Sequence, residues 1–157
     1  MIRKKILLLG DFAVGKTSLI RRYVDNAFDD SYLTTIGVKI SKKLFVMNEI
    51  EVEMIIWDIE GTTPTKVIPL HYLKGASGAI LVTDVNRSET LLSIESHKHD
   101  FFSQNPEASF IIAHNKADLL SPEQKKQYGS EEDTFLTSAK DNTNVENVFS
   151  ALLHKML

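Results

Sequence analysis

Apolar positions along this chain fall into short dense runs separated by polar stretches in which apolar residues recur at helical spacing. Ile6, Leu7, Leu8 and Leu9 form a run of strand length, read as buried. Leu19, Ile20, Tyr23 and Val24 then recur at i, i+1, i+4 and i+5, which predicts a helix over 18–24. Two strands follow, over 38–47 and 50–57, joined by Asn48-Glu49 as a hairpin turn. In the first, Ile40, Leu44 and Val46 stand among lysines, as on a sheet edge. In the second, Val52, Met54, Ile55 and Ile56 are denser, as in a more central strand. Residues 79–84, 110–114 and 134–137 complete six strands.

A long helix is predicted over 88–104, with Leu91, Leu92, Ile94, Phe101 and Phe102 on or near one face. Residues 62–73 form an irregular region broken by Pro64 and Pro69, with a short, poorly capped helix predicted over 66–74. Ser121-Pro122-Glu123-Gln124 combines a capping pair with a first-turn proline, and its helix is expected to end near Gly129. Val145, Val148, Phe149, Leu152 and Leu153 sit at i, i+3, i+4, i+7 and i+8, a closing amphipathic helix. Alternation of six strands with five helices predicts an α/β doubly wound sheet, mostly parallel, its second strand antiparallel because of the hairpin.

Composition narrows the class. The 157 residues are 43% hydrophobic and 25% charged, enough to bury a core, and are read as one domain over 1–157. A net charge of −3 with mixed signs argues against nucleic acid as the main partner. No cysteine is present, which excludes disulfides, cysteine-ligated zinc and a lipidated cysteine within these residues. No apolar run reaches the ~18 residues of a membrane span, and no signal-peptide core precedes the first strand, so a cytoplasmic setting is expected.

The chemistry centres on Gly10-Asp11-Phe12-Ala13-Val14-Gly15-Lys16-Thr17, a G-x-x-x-x-G-K-T loop between the first strand and the first helix. Its glycines let backbone N–H groups close on a phosphate chain, and the helix N-terminus adds further donors. Lys16 supplies a charge for the outer phosphates and Thr17 a hydroxyl for Mg²⁺. Asp11, Phe12, Ala13, Val14, Gly15, Lys16, Thr17 and Ser18 are therefore the candidate phosphate contacts. Asp58, ending the third strand in Trp57-Asp58-Ile59-Glu60-Gly61, is the expected Mg²⁺-side carboxylate. The segment 25–37 is polar, aperiodic and long for a plain connection, which marks it as functional.

The base is chosen by Asn115-Lys116-Ala117-Asp118 after the fifth strand. A carboxylate at Asp118 can accept from N1–H and the 2-amino group of guanine, whereas adenine would leave it unpaired. Asn115 can tie the loop and reach the base edge, the Lys116 stem can cover the base plane, and the Ala139 N–H in Ser138-Ala139-Lys140 can meet the 6-oxygen.

Gly10 to Thr17, Thr35-Ile36-Gly37, Asp58 to Gly61, Asn115 to Asp118 and Ser138 to Lys140 match five guanine-nucleotide motifs in order, and from end to end the chain resembles a small GTPase of the Ras superfamily. The loop is most similar to the Rho type, while Thr35-Ile36-Gly37-Val38 and Tyr72-Leu73-Lys74-Gly75-Ala76 are more similar to the Rab type. The resemblance implies a P-loop small G-protein fold and a GTP/GDP switch with Mg²⁺. It implies metal contacts from Thr17, Thr35 and Asp58, base stacking by Phe28, and base-loop contacts from Asn115, Lys116, Asp118, Ser138, Ala139 and Lys140. The alternative for Phe28 is a core aromatic, the less favoured of the two readings. Lys16, Thr35, Gly61 and Thr62 would act at the reacting phosphate, with Gly61 donating its N–H. The loops around Thr35 and Gly61 would be the two switches, meeting effectors, exchange factors and activating proteins in an otherwise monomeric protein. Tyr32, Leu33, Ile36, Ile59, Ile68, Leu70 and Tyr72 beside them either form that partner surface or pack inward.

Three departures bear on turnover. Phe12 replaces a small residue facing the γ-phosphate, Thr62 stands where most members carry a water-orienting glutamine, and Ile59-Glu60 replaces Thr-Ala. Crowding by Phe12 and the short reach of Thr62 predict slow hydrolysis. The alternative is a pseudo-GTPase scaffold that holds nucleotide without turnover. Family members commonly continue into a tail with prenylated cysteines. This chain stops at Leu157, so membrane association is expected only if a further tail carries lipid.

Overall fold

The computed structural model describes residues 1–26, 37–59, 61, 68–128 and 131–157. Six strands form one sheet: β1 (Ile2–Leu9), β2 (Val38–Met47), β3 (Ile50–Ile59), β4 (Gly78–Asp84), β5 (Ser109–Asn115) and β6 (Thr134–Leu136). Their order is β2-β3-β1-β4-β5-β6, with β2 antiparallel to β3 and every other pair parallel. Five α-helical segments are described: α1 (Lys16–Asp25), α2 (Ser88–Leu92), α3 (Ile94–Gln104), α4 (Pro122–Gln127) and α5 (Val145–Met156). The expected fold class is the one observed.

The alternation within β1 explains why both sheet faces are covered. Successive side chains of a strand point to opposite faces. Ile6 and Leu8 pack with α1 and α5 through Leu19, Ile20, Val148, Phe149 and Leu152. Leu7 and Leu9 join Ile94 and Phe101 of α3 on the other side, with Ile59 and Leu73. A continuous apolar run is what a strand buried on both faces requires. β2 has one neighbour, and its outward Ile40, Leu44 and Val46 are exposed, as the edge reading expects.

Two helix expectations are corrected. The helix over 88–104 is interrupted at Ser93, whose hydroxyl lies 3.0 Å from the Glu89 carbonyl and 2.7 Å from the Asp11 carboxylate. Leu91 and Leu92, expected on the apolar face, are exposed; the buried residue of α2 is Thr90. Among the described residues the stretch expected as a helix over 66–74 contains one 3-10 turn, Leu70–Leu73, after Pro69. The capping expectation holds: Ser121 Oγ accepts from the Gln124 N–H, and Gln124 accepts in return from the Ser121 N–H.

Candidate functional site

Parallel pairing aligns the C-terminal ends of β3, β1, β4 and β5. Asp58 lies opposite Leu8, and Asp84 lies opposite Asn115. The phosphate loop leaves β1 at this edge and enters α1 at Lys16. Gly15 has φ 101°, a left-handed conformation costly for any residue with a Cβ. A Cβ there would also lie 2.3 Å from Asn115 Nδ2.

The loop is held from outside by side chains that take its carbonyls. Arg87 Nη1 donates to the Phe12 carbonyl (2.8 Å), Lys116 Nζ to that of Ala13 (3.0 Å), and Asn115 Nδ2 to that of Val14 (3.0 Å). In a trans peptide the N–H points opposite its C=O. Three successive carbonyls turned outward therefore aim the N–H groups of Ala13, Val14 and Gly15 toward the concave side. Lys16 is buried and spans the loop, with Nζ 3.4 Å from the Gly10 carbonyl and 3.3 Å from that of Asp11. The Asp11 carboxylate accepts from Ser93 Oγ (2.7 Å) and lies 2.9 Å from His97 Nε2, which fastens the loop to α3.

Thr17 and Asp58 converge. Thr17 Oγ1 donates to Asp58 Oδ2 at 2.5 Å, and both residues are buried. A hydroxyl beside a carboxylate at a helix N-terminus is an all-oxygen donor set, the kind a hard divalent cation takes. Gly61 abuts the loop, where a Cβ would fall 2.5 Å from Phe12 N. Phe12 is 42% exposed and does not pack into the core.

The Asn115-Lys116-Ala117-Asp118 motif, expected to read the base, sits on a tightly bonded corner. Asn115 is 2% exposed, and its Oδ1 accepts from Thr137 Oγ1 (3.1 Å). Lys116 adopts a left-handed φ of 67° and pairs with the buried Asp84 carboxylate at 2.8 Å. Asp118 accepts from Ser138 Oγ (2.8 Å), which joins the motif to Ser138-Ala139-Lys140. That second loop is closed by reciprocal main-chain bonds between Ser138 and Thr143 (3.1 and 2.9 Å), and Asp141 N–H donates to Ser138 Oγ (3.0 Å).

The structure thus gathers Gly10 to Ser18, Asp58, Gly61, Asn115 to Asp118 and Ser138 to Lys140 at one end of the sheet. Phe28, Thr35, Glu60, Thr62, Tyr32, Leu33 and Ile36 lie outside the described residues. Of the apolar groups beside the predicted switches, Ile59 packs inward while Leu70 is exposed. Sequence reading passed over Asp84, Arg87, Ser93, His97 and Thr137. Asp84 did carry a signal, since it closes an apolar strand as Asp58 does; Thr137 reads as an ordinary strand residue and the other three as ordinary surface or helix residues.

Residues 5–157 match the sequence model of the Ras family. The chain is 32% identical to Ras-related protein Rab-3C of Mus musculus, over 95% of this chain and 69% of that protein. It is 35% identical to Ras-related protein RABA1g of Arabidopsis thaliana, over 97% of this chain and 74% of that protein. With Ypt/Rab-type GTPase avaA of Emericella nidulans it shares 32% identity, over 98% and 82% respectively. The chain belongs to the Ras family, as a Rab-like small GTPase.

Proposed function

We propose that this small GTPase is a guanine-nucleotide switch that binds GTP and GDP with Mg²⁺, turns GTP over slowly, and spends long periods GTP-loaded. The single observation that carries the slow step is the position of Phe12. Its backbone lies against Gly61 and the residue is exposed on the phosphate loop. An attacking water, or an arginine from an activating protein, would share that space with the ring. Thr62, next along the chain, is too short to orient the water as a glutamine would.

In this reading the N–H groups of Ala13 to Ser18 and the Lys16 ammonium bind the phosphates. Thr17, Asp58 and Thr35 hold Mg²⁺, directly or through water, and Gly61 N–H donates to the terminal phosphate. Among the described residues no group of three or more His, Asp or Glu gathers. Asp58 with hydroxyls, phosphate oxygens and water would make an all-oxygen set, as suits Mg²⁺. Bound there, the ion would supply positive charge against that developing on the phosphates. Asp118 selects guanine, with Asn115, Lys116, Ser138, Ala139 and Lys140 shaping its pocket and Phe28 stacking beside the base. Regulators and effectors meet the loops around Thr35 and Gly61.

Single-turnover phosphate release from GTP-loaded protein tests the slow step. The expected outcome is slow release by the parent and an acceleration of about tenfold or more in the Phe12→Gly, Thr62→Gln double variant. A parent as fast as the double variant contradicts the proposal. Tight GTP binding with no release in either protein favours a module that holds nucleotide without turnover.

A further inference from the structure

Arg22 lies in the last turn of α1, six residues beyond Lys16. Its guanidinium does not face solvent alone. Nε donates to the Ala139 carbonyl at 2.8 Å, and Nη2 donates to the Lys140 carbonyl at 2.9 Å. Nη1 lies 3.4 Å from Asn26 Oδ1 at the helix C-cap. A planar fork with fixed donor directions suits two adjacent acceptors. It is a stronger restraint than two neutral bonds, because the donor is charged.

The consequence falls on peptide orientation. The Ser138 carbonyl accepts from Thr143 N–H, which fixes the Ser138–Ala139 peptide and hence the direction of the Ala139 N–H. Arg22 fixes the next two peptides by their carbonyls, which aims the Lys140 N–H away from the guanidinium. The Asp141 N–H is already turned inward onto Ser138 Oγ. Three successive peptides are thus set, two of them by one side chain from a different element. Ala139 is 4% exposed, so this loop has little room for an alternative path.

We propose that Arg22 is a specificity-determining positioning residue: by gripping the Ala139 and Lys140 carbonyls it holds the Lys140 N–H, beside that of Ala139, in place for the 6-oxo group of the base. The inference rests on the guanine reading of the site above. It adds a physical link, since one helix carries Lys16 and Thr17 at its phosphate end and Arg22 at its base end. Base recognition and phosphate recognition then share a single rigid element.

Competitive titration separates this role from plain structural support. GDP is compared with 6-thio-GDP, which keeps N1–H and the 2-amino group but offers sulfur, a weak acceptor, at position 6. Inosine diphosphate, which keeps the 6-oxygen and lacks the 2-amino group, reports on Asp118. The parent is expected to prefer GDP over both analogues. Arg22→Ala is expected to lose about tenfold of its GDP over 6-thio-GDP preference, while its preference for GDP over inosine diphosphate is kept. Arg22→Lys reaches one carbonyl at a time and gives an intermediate ratio; it also serves if the alanine variant does not fold. Equal weakening toward all three nucleotides overturns the inference and makes Arg22 a structural residue only. A parent that prefers GDP to inosine diphosphate but not to 6-thio-GDP overturns it too, with the guanine reading intact. A parent indifferent to GDP, inosine diphosphate and ADP removes the guanine reading itself, and this inference with it.

Discussion

At Asn115, one amide does two jobs that neither neighbour can replace. Its Nδ2 holds the Val14 carbonyl and its Oδ1 accepts from Thr137, so Asn115→Ala leaves a buried carbonyl and a buried hydroxyl without those partners. Leaving such groups unmade costs about 1–3 kcal/mol each. The variant is expected to unfold at lower urea and to bind GDP at least about tenfold more weakly, measured by denaturation and by displacement of a fluorescent nucleotide. Gly15→Ala is harsher, since φ 101° and a Cβ 2.3 Å from Asn115 Nδ2 act together. It is expected to abolish measurable nucleotide binding, and binding at the parent's affinity would contradict the loop geometry. Sequence alone made Gly10, Lys16, Thr17, Asp58, Asn115 and Asp118 legible, because their chemistry is tied to fixed local spacing. Arg87 and Arg22 were not, because each finds its acceptors 75 and 117 residues away along the chain. A lone arginine near a helix end carries no local sign of such a partner.

Among the elements, β1 was legible as a buried strand but not in its length. In its first half Ile2 and Arg3 are exposed and Lys4 and Lys5 half-buried, and it continues by pairing with β3 from Val52 onward. Pairing, not hydrophobicity, extends it. The helix over 88–104 was read as continuous since its apolar spacing crosses Ser93 without a break. At the interruption the Ser93 hydroxyl lies against Glu89 and Asp11, and no local pattern encodes the second contact. The closing helix was the most legible element, and its packing gives a firm expectation. Phe149 is 1% exposed and stacks on Tyr23 with ring centroids 4.0 Å apart and planes 4° from parallel. Phe149→Ala is expected to lower unfolding free energy by about 3–5 kcal/mol in urea titration. A loss below about 1 kcal/mol would show that α5 does not anchor α1 to the sheet as described.

For the whole molecule, one buried imidazole links stability to pH. Burial holds His114 below its ordinary value of 6.5, with Glu131 opposing the shift more weakly. His114 Nδ1 sits 2.7 Å from Thr83 Oγ1 between the ends of β4 and β5. A histidine depressed in the folded state binds more protons when unfolded, so stability rises with pH across the window between its folded value and about 6.5. Acidification through about pH 6.5 is therefore expected to lower the urea midpoint, and His114→Gln is expected to flatten that dependence. The same slope in both proteins would assign it to other groups. At this scale the fold was readable, since strand and helix alternation dictates a doubly wound sheet whose loops meet at one edge. The segments that would report the nucleotide state, around Thr35 and Thr62, were read from motif alone.

The account stands or falls on a carboxylate at Asp118 choosing guanine for a phosphate loop built from Gly10 to Thr17. Titration of the protein with GDP and with ADP in the presence of Mg²⁺ tests this most directly. A preference for GDP of at least about a thousandfold is expected, since a site built to pair donors rejects a base lacking them; equal affinity for the two would contradict it.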